Sequence, residues 1–215
     1  MSLTLESSLM INEEINKAEC LSDLNNIIAS CNRCSLSKTK TKDVFGSGSE
    51  KAEIFFIGEA PGKEEDLRGE PFVGAAGKFL GEMLKENGLN RNNVFMANVL
   101  KHRPPENRDP LPEEVDACWP FLEKQIQIVN PKIIVFLGRH ALNRFFPSLK
   151  ISEVHGRAFR KSWQGKDQVF LALYHPAAAL YNGSMRETLK SDFKKIPILI
   201  TKIKKTLKPQ QKKLI

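Results

Sequence analysis

The sequence predicts an α/β protein, a three-layer αβα sandwich on a central four-stranded, mostly parallel sheet. Two observations carry that prediction. Four short apolar runs, Ile54–Ile57, Val94–Ala97, Ile133–Leu137 and Val169–Leu173, recur along the chain. Helix-like segments separate them, at Lys78–Asn87, at Pro112–Val129 and from Arg139 to Phe146. Strands buried on both faces read as continuous apolar runs, and strand–helix alternation gives parallel pairs covered by helices. Right-handed crossovers then bring all four strand ends to one edge.

The remaining elements follow in order. Residues 12–30 carry Ile15, Ala18, Leu21, Leu24, Ile27 and Ile28 near a 3.6-residue period, which predicts a helix, and residues 1–30 form an N-terminal helical extension. A turn at Cys31–Cys34 and a basic stretch to Lys42 lead to a short strand expected around Val44-Phe45. The main domain spans 31–200. Residues 201–215 are a basic tail in which Lys202, Lys204, Lys205, Lys208, Lys212 and Lys213 stand without an acid, the pattern of a solvated, poorly ordered terminus.

Composition narrows the class. The chain has 215 residues, 41% of them hydrophobic and 27% charged, enough for one sizeable core. It lacks an apolar run of about 18 residues and a basic-then-apolar leader, so neither a membrane span nor secretion is expected, and the cytoplasm is the expected compartment. A net charge of +8 suits a polyanionic partner. In that compartment structural disulfides are disfavoured, so Cys20, Cys31, Cys34 and Cys118 are core thiols or metal ligands. Cys31-x-x-Cys34 has ligand spacing. A redox pair usually opens a helix after a strand, whereas this one precedes the first convincing strand.

The four strand ends are rich in chemistry: Gly58-Glu59-Ala60-Pro61-Gly62, Asn98 to His102, Gly138-Arg139-His140 and Tyr174-His175-Pro176. A lone His or Asn near a strand end is ordinarily a surface or turn residue. Four such ends on one edge predict a shared pocket, as open α/β sheets place ligands there.

Three blocks resemble a known family. Gly58-Glu59-Ala60-Pro61-Gly62 with Glu65-Asp66 and Gly69-x-Pro71-Phe72-Val73-Gly74-x-Ala76-Gly77 is similar to the first motif of family 4 uracil-DNA glycosylases. NVLKHRPPENR, from Asn98 to Arg108, resembles the second block, and Tyr174-His175-Pro176-Ala177 the third. The resemblance runs from about Cys31 to Phe193, making 31–200 the glycosylase domain. It implies a uracil-DNA glycosylase-like fold, a monomer, and an enzyme of base-excision repair acting on single- or double-stranded DNA. Such an enzyme flips deoxyuridine out of the stack and hydrolyses the N-glycosidic bond to leave an abasic site.

The resemblance also implies roles. Phe72 would stack on the flipped base, and Asn98 would read its Watson–Crick edge. His175 would stabilise the departing anion from uracil O2, and Glu59 would position or deprotonate water. Gly58 and Ala60 would line the pocket, and Glu65 would crowd the C5 edge where thymine carries a methyl. Leu180 or Tyr181 would fill the gap left by the flipped base, and Arg103, Arg108 and Arg186 would contact phosphates. The family carries a [4Fe–4S] cluster. Cys31, Cys34 and Cys118 match three of its four cysteines, and His102 stands at the fourth position. Imidazole ligates iron elsewhere, so a Cys3His cluster is expected, with a labile cluster, zinc in the same cage or loss of the metal as alternatives. Cys20 lies outside the pattern, as a packed thiol. The functional alternatives are a glycosylase for a broader range of deaminated bases and a catalytically silent, metal-containing DNA-binding module. Glu59, Asn98 and His175 together speak against silence, and no GxGxxG or P-loop signature supports a nucleotide-binding rival.

Overall fold

A computed structural model describes residues 5–207. Its sheet has six strands: β1 (Ser47–Gly48), β2 (Ile54–Gly58), β3 (Phe95–Asn98), β4 (Ile133–Leu137), β5 (Ala158–Trp163) and β6 (Lys166–Leu173), in spatial order β1-β3-β2-β4-β6-β5. The inner four run parallel, and the two edge strands pair antiparallel to their neighbours. The helices are α1 (Leu5–Lys17), α2 (Leu21–Ala29), α3 (Lys63–Arg68), α4 (Ala75–Glu86), α5 (Pro112–Val129), α6 (Arg139–Phe145), α7 (Ile151–Val154), α8 (Gly183–Phe193) and α9 (Lys195–Leu207).

Alternation along the strands divides the core in two. Phe55 and Ile57 of β2 face a layer containing Leu24 and Ile28 of α2, Phe121 and Leu122 of α5, and Leu142 of α6. Ile54 and Phe56 face the opposite layer, with Leu80 and Met83 of α4, Phe193 of α8 and Ile196 of α9. Each fully buried Phe or Leu contributes roughly 1.5–3 kcal/mol of apolar transfer, so both faces of β2 hold the sandwich together.

The four apolar runs are the four parallel strands. The two further strands escape an apolar-run reading for physical reasons. β5 is a largely exposed edge carrying Arg160, Lys161 and Ser162, and a two-residue turn at Gln164-Gly165 (φ 50° and 75°) joins it to β6. β1 is two residues long. The helix expected over 12–30 is two helices, because the Asp23 carboxylate accepts the N–H groups of Glu19 (3.1 Å) and Cys20 (3.3 Å) and starts α2 afresh. Val44-Phe45 is buried but not a strand; Val44 N–H donates to the Lys101 carbonyl at 2.9 Å. Residues 201–207 continue α9 instead of fraying, since Ile200 and Ile203 are buried. Lys204 pairs with Glu53 at 2.6 Å, at the amino end of β2 and away from the strand ends that hold the candidate site. Lys208, Lys212 and Lys213 lie outside the described residues. No described helix is long and apolar enough to cross a membrane.

Candidate active site

The carboxyl ends of β2, β3 and β6 surround a cavity of about 330 Å³, lined by Glu59, Ala60, Glu65, Phe72, Asn98 and His175 among others. The β2–β3 ladder continues past the strands, with Val99 N–H donating to the Gly58 carbonyl (2.9 Å) and Leu100 N–H to that of Glu59 (3.0 Å). Glu59 and Asn98 are thereby fixed relative to one another before any side chain acts.

Gly58 lies in register with Asn98. A Cβ at Gly58 would stand 2.3 Å from Asn98 Oδ1 and 2.6 Å from Phe72 Cζ, so the missing side chain is what lets ring and amide meet. Phe72 is buried with φ 58°, an uncommon conformation for a non-glycine residue. Three residues hold it there. Arg91 donates to the carbonyls of Pro71 and Phe72, both at 2.9 Å, and Gly77 leaves room where a Cβ would overlap the Phe72 carbonyl. Glu65 closes the loop, accepting the N–H groups of Val73 (2.9 Å) and Gly74 (2.8 Å) on one oxygen and of Gly62 (3.1 Å) on the other. Glu65 therefore lines the cavity and also staples the loop that presents Phe72.

The His175 ring centroid is 6.3 Å from that of Phe72. Its Nδ1 accepts the N–H of Ala177 at 3.2 Å, which assigns the proton of the neutral ring to Nε2. Burial lowers its pKa to about 4, against a smaller upward pull from Glu65. The imidazole is thus a neutral donor at physiological pH. Glu59 is raised above the ordinary carboxylate range, first by burial; His140 at 3.5 Å pulls it down and Asp109 pushes it up. Glu59, Asp109 and His140 bring three potential ligand atoms within 4.8 Å of one another. His140 belongs to a strand end that the sequence marks, whereas Asp109 carries no such mark.

The expected DNA contacts divide. Tyr181 is 95% exposed at the tip of the loop after His175, while Leu180 packs partly buried against the core. Among the described residues, Arg103 pairs only with the neutral Asn107, at 2.8 Å. Arg108 forms a bidentate pair with Glu114 (2.6 and 2.9 Å), whose side chain is buried. Arg186 lies 4.0 Å over the Phe79 ring and pairs with Glu82.

Cys118 and the half-buried Cys34 share an apolar cluster with Ala60 of the cavity lining; Cys31 is buried, and His102 is 1% exposed. Burial raises the thiol pKa of Cys31 and Cys34 and pushes Cys118 up to about 12, so bound positive charge is what would make them thiolates. His102 Nε2 hydrogen-bonds Asp43 at 2.7 Å, and its buried Nδ1 has no hydrogen-bond partner among the described residues. A buried imidazole nitrogen and three thiols are the donor types a metal group needs. Lys101, fully buried between the two sites, donates to the Asn98 carbonyl and to Gln125, both at 2.7 Å. Asp43, Arg91, Lys101 and Glu114 are not legible as functional in the sequence, because each acts through a partner 3 to 59 positions away.

A sequence model of the uracil DNA glycosylase superfamily matches residues 45–197. A type-4 uracil-DNA glycosylase of Archaeoglobus fulgidus is 51% identical over 194 residues, covering 88% of this chain and 98% of that protein. One from Sulfurisphaera tokodaii is 49% identical, covering 79% and 80%. A third, from Thermotoga maritima, is 42% identical, covering 81% and 92%.

Proposed function

The chain belongs to the uracil DNA glycosylase superfamily, among its type-4 members, and from that premise we propose that it excises uracil from DNA by the residues gathered at this cavity. The observation that carries the reading is the convergence of Phe72, Asn98 and His175 on one cavity, with Gly58 making room for the first two. DNA is the substrate, and the base must leave the stack to reach the pocket. Phe72 stacks on the extruded ring. The Asn98 amide donates to uracil O4 and accepts from N3–H; cytosine inverts that pattern and leaves polar groups unpaired at about 1–3 kcal/mol each.

Cleavage breaks the bond between sugar C1′ and base N1, and the electron pair leaves with the base. The His175 Nε2–H donates to uracil O2, where the negative charge collects, and a neutral imidazole does this without giving up its proton. Glu59 faces the developing positive charge of the sugar, orients the water that attacks C1′ and receives its proton.

Cys31, Cys34, Cys118 and His102 would hold a [4Fe–4S] cluster in this reading. Three thiols and one imidazole are donors that iron–sulfur groups accept. When bound, such a group would supply a crosslink that ties the segments bearing its ligands together.

The test is incubation with an oligonucleotide carrying one uracil, followed by alkaline cleavage at abasic sites. Strand scission by the wild type, reduced at least 100-fold in His175→Ala and Asn98→Ala, is expected. No scission from single- or double-stranded substrate refutes the reading.

A further inference from the structure

Resting on the cage reading above, we propose that Asp43 is the positioning residue that makes His102 a ligand, holding its Nε2–H so that Nδ1 faces the metal group. The two imidazole nitrogens of His102 have opposite fates. Nε2 lies 2.7 Å from Asp43 Oδ1, and Nδ1 is buried with no partner among the described residues. A protonated His102 paired with Asp43 would bury a second N–H with nothing to receive it. A neutral ring with its proton on Nε2 buries a bare lone pair on Nδ1, which is what a metal takes. Carboxylate–histidine–metal relays fix the tautomer and orientation of a ligand in this way.

The position of Asp43 is itself built. The next residue, Val44, donates its N–H to the carbonyl of Lys101, which precedes His102, at 2.9 Å. Thr41 N–H donates to Asp66 Oδ1 at 2.9 Å, and Lys40 pairs with Asp43 directly. Asp66 is buried on α3, the helix whose Glu65 staples the Phe72 loop. The 40–44 segment therefore connects the cage to the loop that presents the stacking ring.

The experiment is a two-residue cycle on the full chain. Loss of the cluster's visible absorbance under chelator is timed in wild type, Asp43→Ala, Asp43→Asn, His102→Cys and the double variant His102→Cys/Asp43→Ala. Protein labelled with ¹⁵N-histidine is examined by pulsed EPR after one-electron oxidation or reduction of the cluster. A thiolate at 102 has no N–H to orient, so Asp43 should matter only when His102 is present. Asp43→Ala is expected to speed cluster loss about 10- to 100-fold in the histidine background and less than about 2-fold in the cysteine background, with Asp43→Asn between. A ¹⁵N coupling is expected in wild type and absent in His102→Cys. An intact cluster that is insensitive to Asp43, or equally sensitive in both backgrounds, overturns the proposal alone. An iron-free wild-type protein overturns the cage reading and the proposal with it.

Discussion

Gly58 and Asn98 face each other across β2 and β3, and the space that a Gly58 side chain would fill is occupied by the Asn98 amide oxygen and the tip of the Phe72 ring. One methyl group there pushes both away from the base. Gly58→Ala is expected to fold, with uracil release slowed at least 100-fold, because angstrom-scale misplacement of reacting partners costs that much. Single-turnover rates alongside a thermal melt check it; wild-type rates would show that the contact is irrelevant.

Glu65 tests the staple. Replacement by Gln turns a carboxylate that accepts three backbone N–H groups into an amide with one acceptor facing donors. The expected loss is about 1–3 kcal/mol of stability, read by denaturant unfolding, together with weaker substrate binding as the Phe72 loop loosens.

The pH dependence separates Glu59 from His175. His175, at about 4, is neutral throughout the working range and contributes no limb until pH approaches that value. Glu59 is raised above the ordinary carboxylate range, so the water-orienting carboxylate is lost as pH falls through that raised value. Single-turnover rates should therefore be flat near neutrality and fall on the acid side above the usual carboxylate titration. Glu59→Gln should be slow and lack that limb. A limb that survives in Glu59→Gln assigns it elsewhere.

Much of this was legible because the informative residues are local in sequence. Four apolar runs locate the parallel strands, the motif residues Gly58, Glu59, Asn98 and His175 sit at or just past strand ends, and Phe72 lies on the glycine-flanked loop between α3 and α4. β5 stayed hidden because its stabilisation is a hairpin ladder along an exposed polar edge, which leaves no apolar signal. Asp43 and Arg91 stayed hidden for another reason. Their work is defined by a hydrogen bond to a distant loop, and a lone Asp or Arg in a polar stretch looks like any solvated charge. The basic tail misled in part: as far as Leu207 it is a packed helix, and Lys204 is drawn to Glu53.

Arg108 and Tyr181 separate fold from DNA binding. Arg108 neutralises the buried Glu114, so Arg108→Ala is expected to lower Tm clearly by stranding that carboxylate. Tyr181, almost wholly exposed, can be removed without cost to stability. Tyr181→Ala should leave Tm unchanged and raise KM on duplex DNA several-fold more than on single strands, since only a duplex has a gap to fill.

The most direct measurement is the identity of the base set free. Oligonucleotides with a single uracil, thymine, cytosine or hypoxanthine are incubated with wild-type protein and with His175→Ala, and released bases are quantified by mass spectrometry. Free uracil is expected from the wild type, at least 100-fold less from the variant, and no other base at a comparable rate. Hypoxanthine released as fast as uracil, or no base released at all, would contradict that expectation.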